Sequence, residues 1–218
     1  MAKRLKCVLE KMASDCKFAL ICNLPRWVWA TLLQMKPLFA IHAGEYLVGL
    51  HVQKSLKLNA WIPGKDIGID LLVTDSANLH AVSLQVKYGK DFLPEMKAEQ
   101  RGSLRCASWF TLNRKKIDTS QAQFWVFVLL GFYSDTPDFV VIPTSELLRR
   151  MTKLRGPDTV TLQSYLSSTK DNKCWEVRGL GADDNRQIAK GTYENRDRDF
   201  TEHLNENGWA AVVNKLKS

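Results

Sequence analysis

The sequence predicts an α/β domain built on a mixed central sheet flanked by helices. Three observations carry this expectation. Residues 69–74 and 82–87 alternate between apolar and polar across a short polar break, which is the pattern of a two-stranded hairpin. Residues 124–130 are an unbroken apolar run of strand length, suited to a strand covered on both faces. Helix-start patterns stand before the hairpin and after the last apolar strand.

In chain order, residues 1–40 read as two helical pieces, the first basic and the second rich in Trp and Leu. They are expected to pack on the main domain or on a second subunit, which would make a homodimer. Residues 42–57 read as a helix opened by Gly44-Glu45, with Leu47, Val48, Val52 and Leu56 apolar. A glutamate in a first turn is favoured by the helix dipole in any case.

The hairpin follows. Asp75, Ser76, Ala77 and Asn78 supply turn chemistry. If residues 76–79 form the loop and Asp75 pairs with His80, the antiparallel register follows. Leu71 then faces Leu84 and Val73 faces Val82 on an apolar face. Asp70 sits opposite Gln85 on the other face, with Lys87 one diagonal step away. A slip of one residue would bury the polar set, so the register is well specified.

Beyond the hairpin, residues 94–101 suggest a short helix with Pro94 in its first turn. Residues 134–137 suggest a turn and residues 139–142 a further strand. A helix then starts with Thr144 or Ser145 as cap, packs through Leu147, Leu148 and Met151, and stops at Gly156-Pro157. Residues 159–180 read as short strands or loops, 179–185 as a flexible stretch and 199–216 as a closing helix. The expected organisation is an N-terminal helical extension at 1–40, a core at 41–155 and a C-terminal extension at 156–218 packing on that core.

Composition narrows the class. An apolar fraction of 45% and seven Trp supply a substantial core, so global disorder is excluded. The net charge of +8 favours an anionic partner, nucleic acid before membrane. Five cysteines without a Cys-x-x-Cys pair suggest neither a disulfide framework nor a structural zinc site. Charged residues and prolines interrupt the apolar stretch near the N-terminus, which argues against a signal peptide or a spanning helix. A soluble cytoplasmic protein is expected.

Glu45 on a helix, Gly68-Ile69-Asp70-Leu71-Leu72-Val73 on one strand and Leu84-Gln85-Val86-Lys87 on the next carry a resemblance. This order is similar to the PD-(D/E)xK nuclease superfamily, in its Gln-x-Lys form that resembles Mrr-type nucleases. The resemblance covers roughly residues 42–90. It implies a restriction-endonuclease-like three-layer sandwich and a Mg²⁺-dependent DNA endonuclease, with Mn²⁺ as a substitute, acting in restriction or defence, repair or recombination. It also implies the site: Asp70 as central metal ligand, Gln85 through its amide oxygen, Val86 through its main-chain carbonyl, and Glu45 directly or through water. Lys87 would orient or help deprotonate the attacking water. Gln85 departs from the acidic form of the motif and removes one negative charge.

The same fold without catalysis, as a nucleic-acid-binding or assembly protein, is the alternative. Asp66 rivals Asp70 but precedes it by four residues, beyond reach of Gln85 in this register. None of the four histidines has the spacing of a metal site or a catalytic triad. Two basic clusters, Arg114-Lys115-Lys116 and Arg149-Arg150 with Lys153 and Arg155, are either solvated faces or phosphate contacts.

Overall fold

A computed structural model describes residues 36–64, 68–91, 102–131 and 136–218. The two helical pieces expected within 1–35, the helix expected at 94–101 and the rival Asp66 lie outside the described residues. The chain divides into a first unit ending at Ile41 and a second spanning His42–Ser218. The second unit carries the sheets and the site.

Helix α1 (Lys36–Lys54) leads into β1 (Asn59–Trp61), β2 (Leu71–Thr74) and β3 (Ala81–Tyr88). The pairing of β2 with β3 sets Leu71 against Leu84 and Val73 against Val82, the register read from the alternation. Asp75 closes the loop. Its backbone N–H reaches the His80 carbonyl at 3.4 Å, its carboxylate accepts the Leu79 N–H at 2.9 Å, and the His80 ring stands 2.8 Å away. Strand β6 (Phe124–Leu129) then lies parallel to β3, and β7 (Asp138–Pro143) antiparallel to β6. The result is a five-stranded mixed sheet in the order β1-β2-β3-β6-β7. A parallel β3–β6 pair needs a long crossover, and β4 (Lys90–Asp91), β5 (Leu104–Asn113) and α2 (Arg114–Asp118) lie in it.

The continuous apolar run of β6 is buried at every position because each face meets a different layer. On one face Val82, Leu84, Val86, Val126 and Val141 pack with Val48 and Val52 of α1 and with Trp209, Val212 and Leu216 of α5 (Asn205–Leu216). Gly44 sets the approach of α1 to β3, since a Cβ there would stand 3.0 Å from the Tyr88 Cβ. On the other face Trp125, Phe127 and Ile142 pack against Phe110 and Leu112 of β5, Ile117 of α2, and Leu147 and Met151 of α3 (Thr144–Arg155).

On that second face the helices α2 and α3 share the cover with a second sheet, which the sequence reading did not include. A four-stranded sheet, β4-β5-β8-β9, covers much of it, with β8 (Thr161–Thr169) paired along β5 and β9 (Cys174–Glu176) along β8. Residues beyond 155 therefore build the core as well as packing on it.

Smaller corrections follow from the same packing. Gly44-Glu45 lies in the middle of α1, so Glu45 gains nothing from a helix start. Helix α3 carries no side-chain cap: the Thr144 hydroxyl donates to the Ala122 carbonyl instead, tying the helix start to the loop before β6. The stretch read as flexible at 179–185 runs into helix α4 (Ala182–Lys190). The closing helix is broken into a 3₁₀ turn at Thr201–His203 and α5, whose first residue Asn205 stands at φ 45°. Asn205 is held there by accepting the Phe139 N–H and donating to buried Asp138, both at 2.8 Å.

Candidate functional site

Asp70 precedes β2 and continues its course along β3, donating its backbone N–H to the Leu84 carbonyl at 2.9 Å. Its carboxylate Oδ2 accepts the Val86 N–H at 2.7 Å and a short hydrogen bond from the Gln85 amide. In the parallel pair Gln85 lies beside Trp125 and Lys87 beside Phe127. Side chains at matched positions share a sheet face, so Gln85 and Lys87 look toward β5 and α2, away from α1. The Lys87 Nζ stands 5.3 Å from the centre of the Trp125 ring.

These side chains line a cleft of about 780 Å³ between the two sheets. Gly68, at φ +81°, brings the chain into it without a side chain, and a Cβ there would come within 4.0 Å of the Gln85 amide oxygen. Across the cleft stand Thr111 and Asn113 of β5, Lys116 of α2, and Ser120 and Gln121 before β6. Hydroxyls, amides and one ammonium make this wall polar. Of this wall only Lys116 stood out in the sequence, within a basic cluster, because β5 and α2 reach the hairpin only through the second sheet.

Burial pushes the Asp70 carboxyl above its ordinary range. The Val86 N–H, the Lys87 charge and the Gln85 amide pull it down, while the Glu45 charge pushes it further up. Glu45 thus acts on Asp70 through space although α1 covers the opposite sheet face. Its own carboxylate lies 3.0 Å from the His42 Nδ1. Of the residues implied by the motif, Asp70, Gln85 and Lys87 share one cleft. Val86 contributes its backbone there, and Glu45 joins from the helix by its charge.

The basic clusters fare differently. Arg114 donates to the Thr159 and Gly156 carbonyls and to the Thr152 hydroxyl at 2.6–2.9 Å, closing the C-terminal end of α3 onto β8. Arg150 is 3% exposed, and it bonds Glu146, Glu202 and the carbonyls of Arg196 and Asp199. Arg155 bonds Glu176, which is fully buried and also takes Arg198 at 2.8 Å. Arg149 bonds Glu146, and Lys153 lies 3.3 Å from Asp197. Arg150 and Arg155 are turned into the protein and hold α3 to the C-terminal segment, whereas Arg149 and Lys153 keep exposed side chains at the surface. Lys115 and Lys116 remain exposed, and Lys116 is on the cleft.

Among the described residues, Glu146, Glu202 and His203 also bring potential ligand atoms together. The guanidinium groups of Arg149 and Arg150 already neutralise this group. The Arg149 hydrogen bond, ahead of those from Arg150, holds the Glu146 carboxyl down at about 2. A cation would have to compete with two fixed positive charges there. No local pattern marks this cluster, since residue 146 meets residues 202 and 203 only in the fold.

No protein-family model, no curated protein and no solved structure matches the chain. The class that fold and site define is a mixed α/β domain with an acid–amide–lysine cleft on its central hairpin. Among the described residues, no helix is long and apolar enough to cross a membrane.

Proposed function

We propose that this domain is a Mg²⁺-dependent DNA endonuclease with a restriction-endonuclease-like core. The observation that supports the reading most is the convergence of Asp70, Gln85 and Lys87 on one face of the β2–β3 hairpin, inside a polar cleft. The chemistry of the donor set fits a hard divalent cation. Burial and the Glu45 charge hold the Asp70 carboxyl up, a repulsion that a bound cation relieves.

Asp70, the Gln85 amide oxygen and the Val86 carbonyl would hold Mg²⁺, with Glu45 joining through water and Mn²⁺ able to replace it. When bound, such an ion polarises the phosphate and makes a water more acidic. The chain's own residues do the rest. Asp70 anchors the site through its two accepted hydrogen bonds. Gln85 turns its amide oxygen inward only by giving up its present bond to Asp70. The Lys87 ammonium orients the attacking water and meets the charge that develops on the phosphate. Lys116, at the rim, contacts a flanking phosphate and fixes the strand's position. Restriction or defence, repair and recombination are all settings that such an activity serves.

A second reading keeps the fold and the DNA contact without catalysis. The Gln85 bond to Asp70 favours it, because the amide occupies a carboxylate oxygen and adds no charge for a metal. Digestion of plasmid and oligonucleotides with Mg²⁺, Mn²⁺ or EDTA separates the two. Metal-dependent cleavage supports the nuclease; binding without cleavage in either metal supports the second reading.

A further inference from the structure

We infer that Trp125 is the positioning residue for Lys87, its indole face holding the ammonium against the cleft wall beside Asp70. This inference rests on the nuclease reading above and concerns the same cleft.

Lysine carries its charge on a flexible four-carbon stem, so an ammonium that must meet a reacting phosphate needs something to hold it. The fold supplies that support from the neighbouring strand. Trp125 lies beside Gln85 in the parallel β3–β6 pair, and its side chain emerges on the face that carries Gln85 and Lys87. The Lys87 Nζ stands 5.3 Å from the ring centre, within the range at which a cation is attracted to an aromatic face. The ring itself is fixed: it is 2% exposed and packed with Phe127 and the core between the sheets.

The choice of tryptophan points the same way. Its Nε1 is buried and has no hydrogen-bond partner among the described residues. Leaving a buried donor unpaired is unfavourable, and a phenylalanine would fill a core position without that penalty. Tryptophan offers the strongest cation-binding face of the aromatic residues, which is what this position uses.

The test is a rate cycle on wild type, Lys87→Ala, Trp125→Leu and the double variant, with Trp125→Phe beside them. Single-turnover cleavage of plasmid is measured at saturating Mg²⁺ and DNA. Trp125→Leu should slow the chemical step by about 10- to 100-fold, the scale of a misplaced catalytic group, with unchanged half-saturation by Mg²⁺ and DNA. Trp125→Phe keeps an aromatic face and should recover part of that loss. Adding Trp125→Leu to Lys87→Ala should slow it no further. An equal slowing in both backgrounds would overturn the inference, because Trp125 would then act independently of Lys87.

Urea unfolding of the same four proteins reads the contact without cleavage. Non-additive effects of the two substitutions support it, and additive effects contradict it. A wild type that cleaves nothing would overturn the nuclease reading, whereas the unfolding cycle would still decide on the contact.

Discussion

Replacing Arg150 with methionine separates a structural arginine from a DNA-binding one. Methionine keeps an unbranched stem over the Phe200 ring, which now lies 5.1 Å from the guanidinium carbon, and removes only the polar head. The Arg196 and Asp199 carbonyls then lose a charged donor, as does Glu146. Glu202 matters less, since its side chain is 65% exposed and water replaces the arginine. A hydrogen bond to a charged group contributes about 1.5–3 kcal/mol, and water replaces part of what the exposed acceptors lose, so the variant should lose about 2–5 kcal/mol in all. For a domain of this size each kcal/mol moves Tm by about 2–4 °C, which places the expected loss at about 4–20 °C. Thermal unfolding by circular dichroism measures it. The folded variant should bind duplex DNA as the wild type does, because the lost guanidinium faces the protein. A Tm within about 2 °C of wild type, together with weakened DNA binding, would refute the reasoning.

Three further outcomes are expected. Asp70→Asn should stabilise the metal-free protein at neutral pH. Burial raises the Asp70 pKa, so its ionised form is disfavoured by folding, and the gain should vanish as pH falls below the ordinary carboxylate range; a gain that persists in acid would contradict this. Glu146 has the opposite sign. Its pKa is lowered from 4.5 to about 2, so its contribution is present above about pH 4.5 and is lost as pH falls toward 2. Replacing Arg149 with glutamine should shrink that acid-side loss in an unfolding series against pH. Lys116→Ala should weaken duplex DNA binding and reduce the slope of log affinity against log salt by about 1; an unchanged slope would remove Lys116 from the interface.

The hairpin was legible in the sequence because one pattern determines it. Alternation places Leu71, Val73, Val82 and Leu84 on one face, and only one register buries all four. The turn chemistry at Asp75 reinforces the same pairing, and Asp70, Gln85 and Lys87 follow from it. The second sheet left no comparable trace. Its central strand β8 buries Ser164, Ser167 and Ser168, which in sequence resemble a loop, and it pairs with a strand about fifty residues away, with Thr161 against Asn113. Such pairing is decided by long-range packing, beyond the reach of a local pattern.

The arginines mislead for a related reason. A buried guanidinium that satisfies carbonyls and carboxylates has the same sequence signature as one that meets phosphate. Arg150 reaches carbonyls 46 and 49 residues further along the chain, and only the fold brings these together. Thr111 and Asn113 on the cleft's far wall were hidden in the same way, because they belong to the crossover between β3 and β6.

The central claim is that Asp70 holds a catalytic cation while Lys87 acts on the chemical step. Single-turnover plasmid cleavage combined with Mg²⁺ titration of Asp70→Asn, Lys87→Ala and Gln85→Glu tests it most directly. Asp70→Asn should lose cleavage and Mg²⁺ binding together. Gln85→Glu, which adds a ligand charge, should bind Mg²⁺ more tightly and still cleave. Lys87→Ala should keep most metal and DNA binding while its rate falls by about 10²–10⁴. Full activity in both Asp70→Asn and Lys87→Ala would contradict the account and leave the motif an ordinary hairpin.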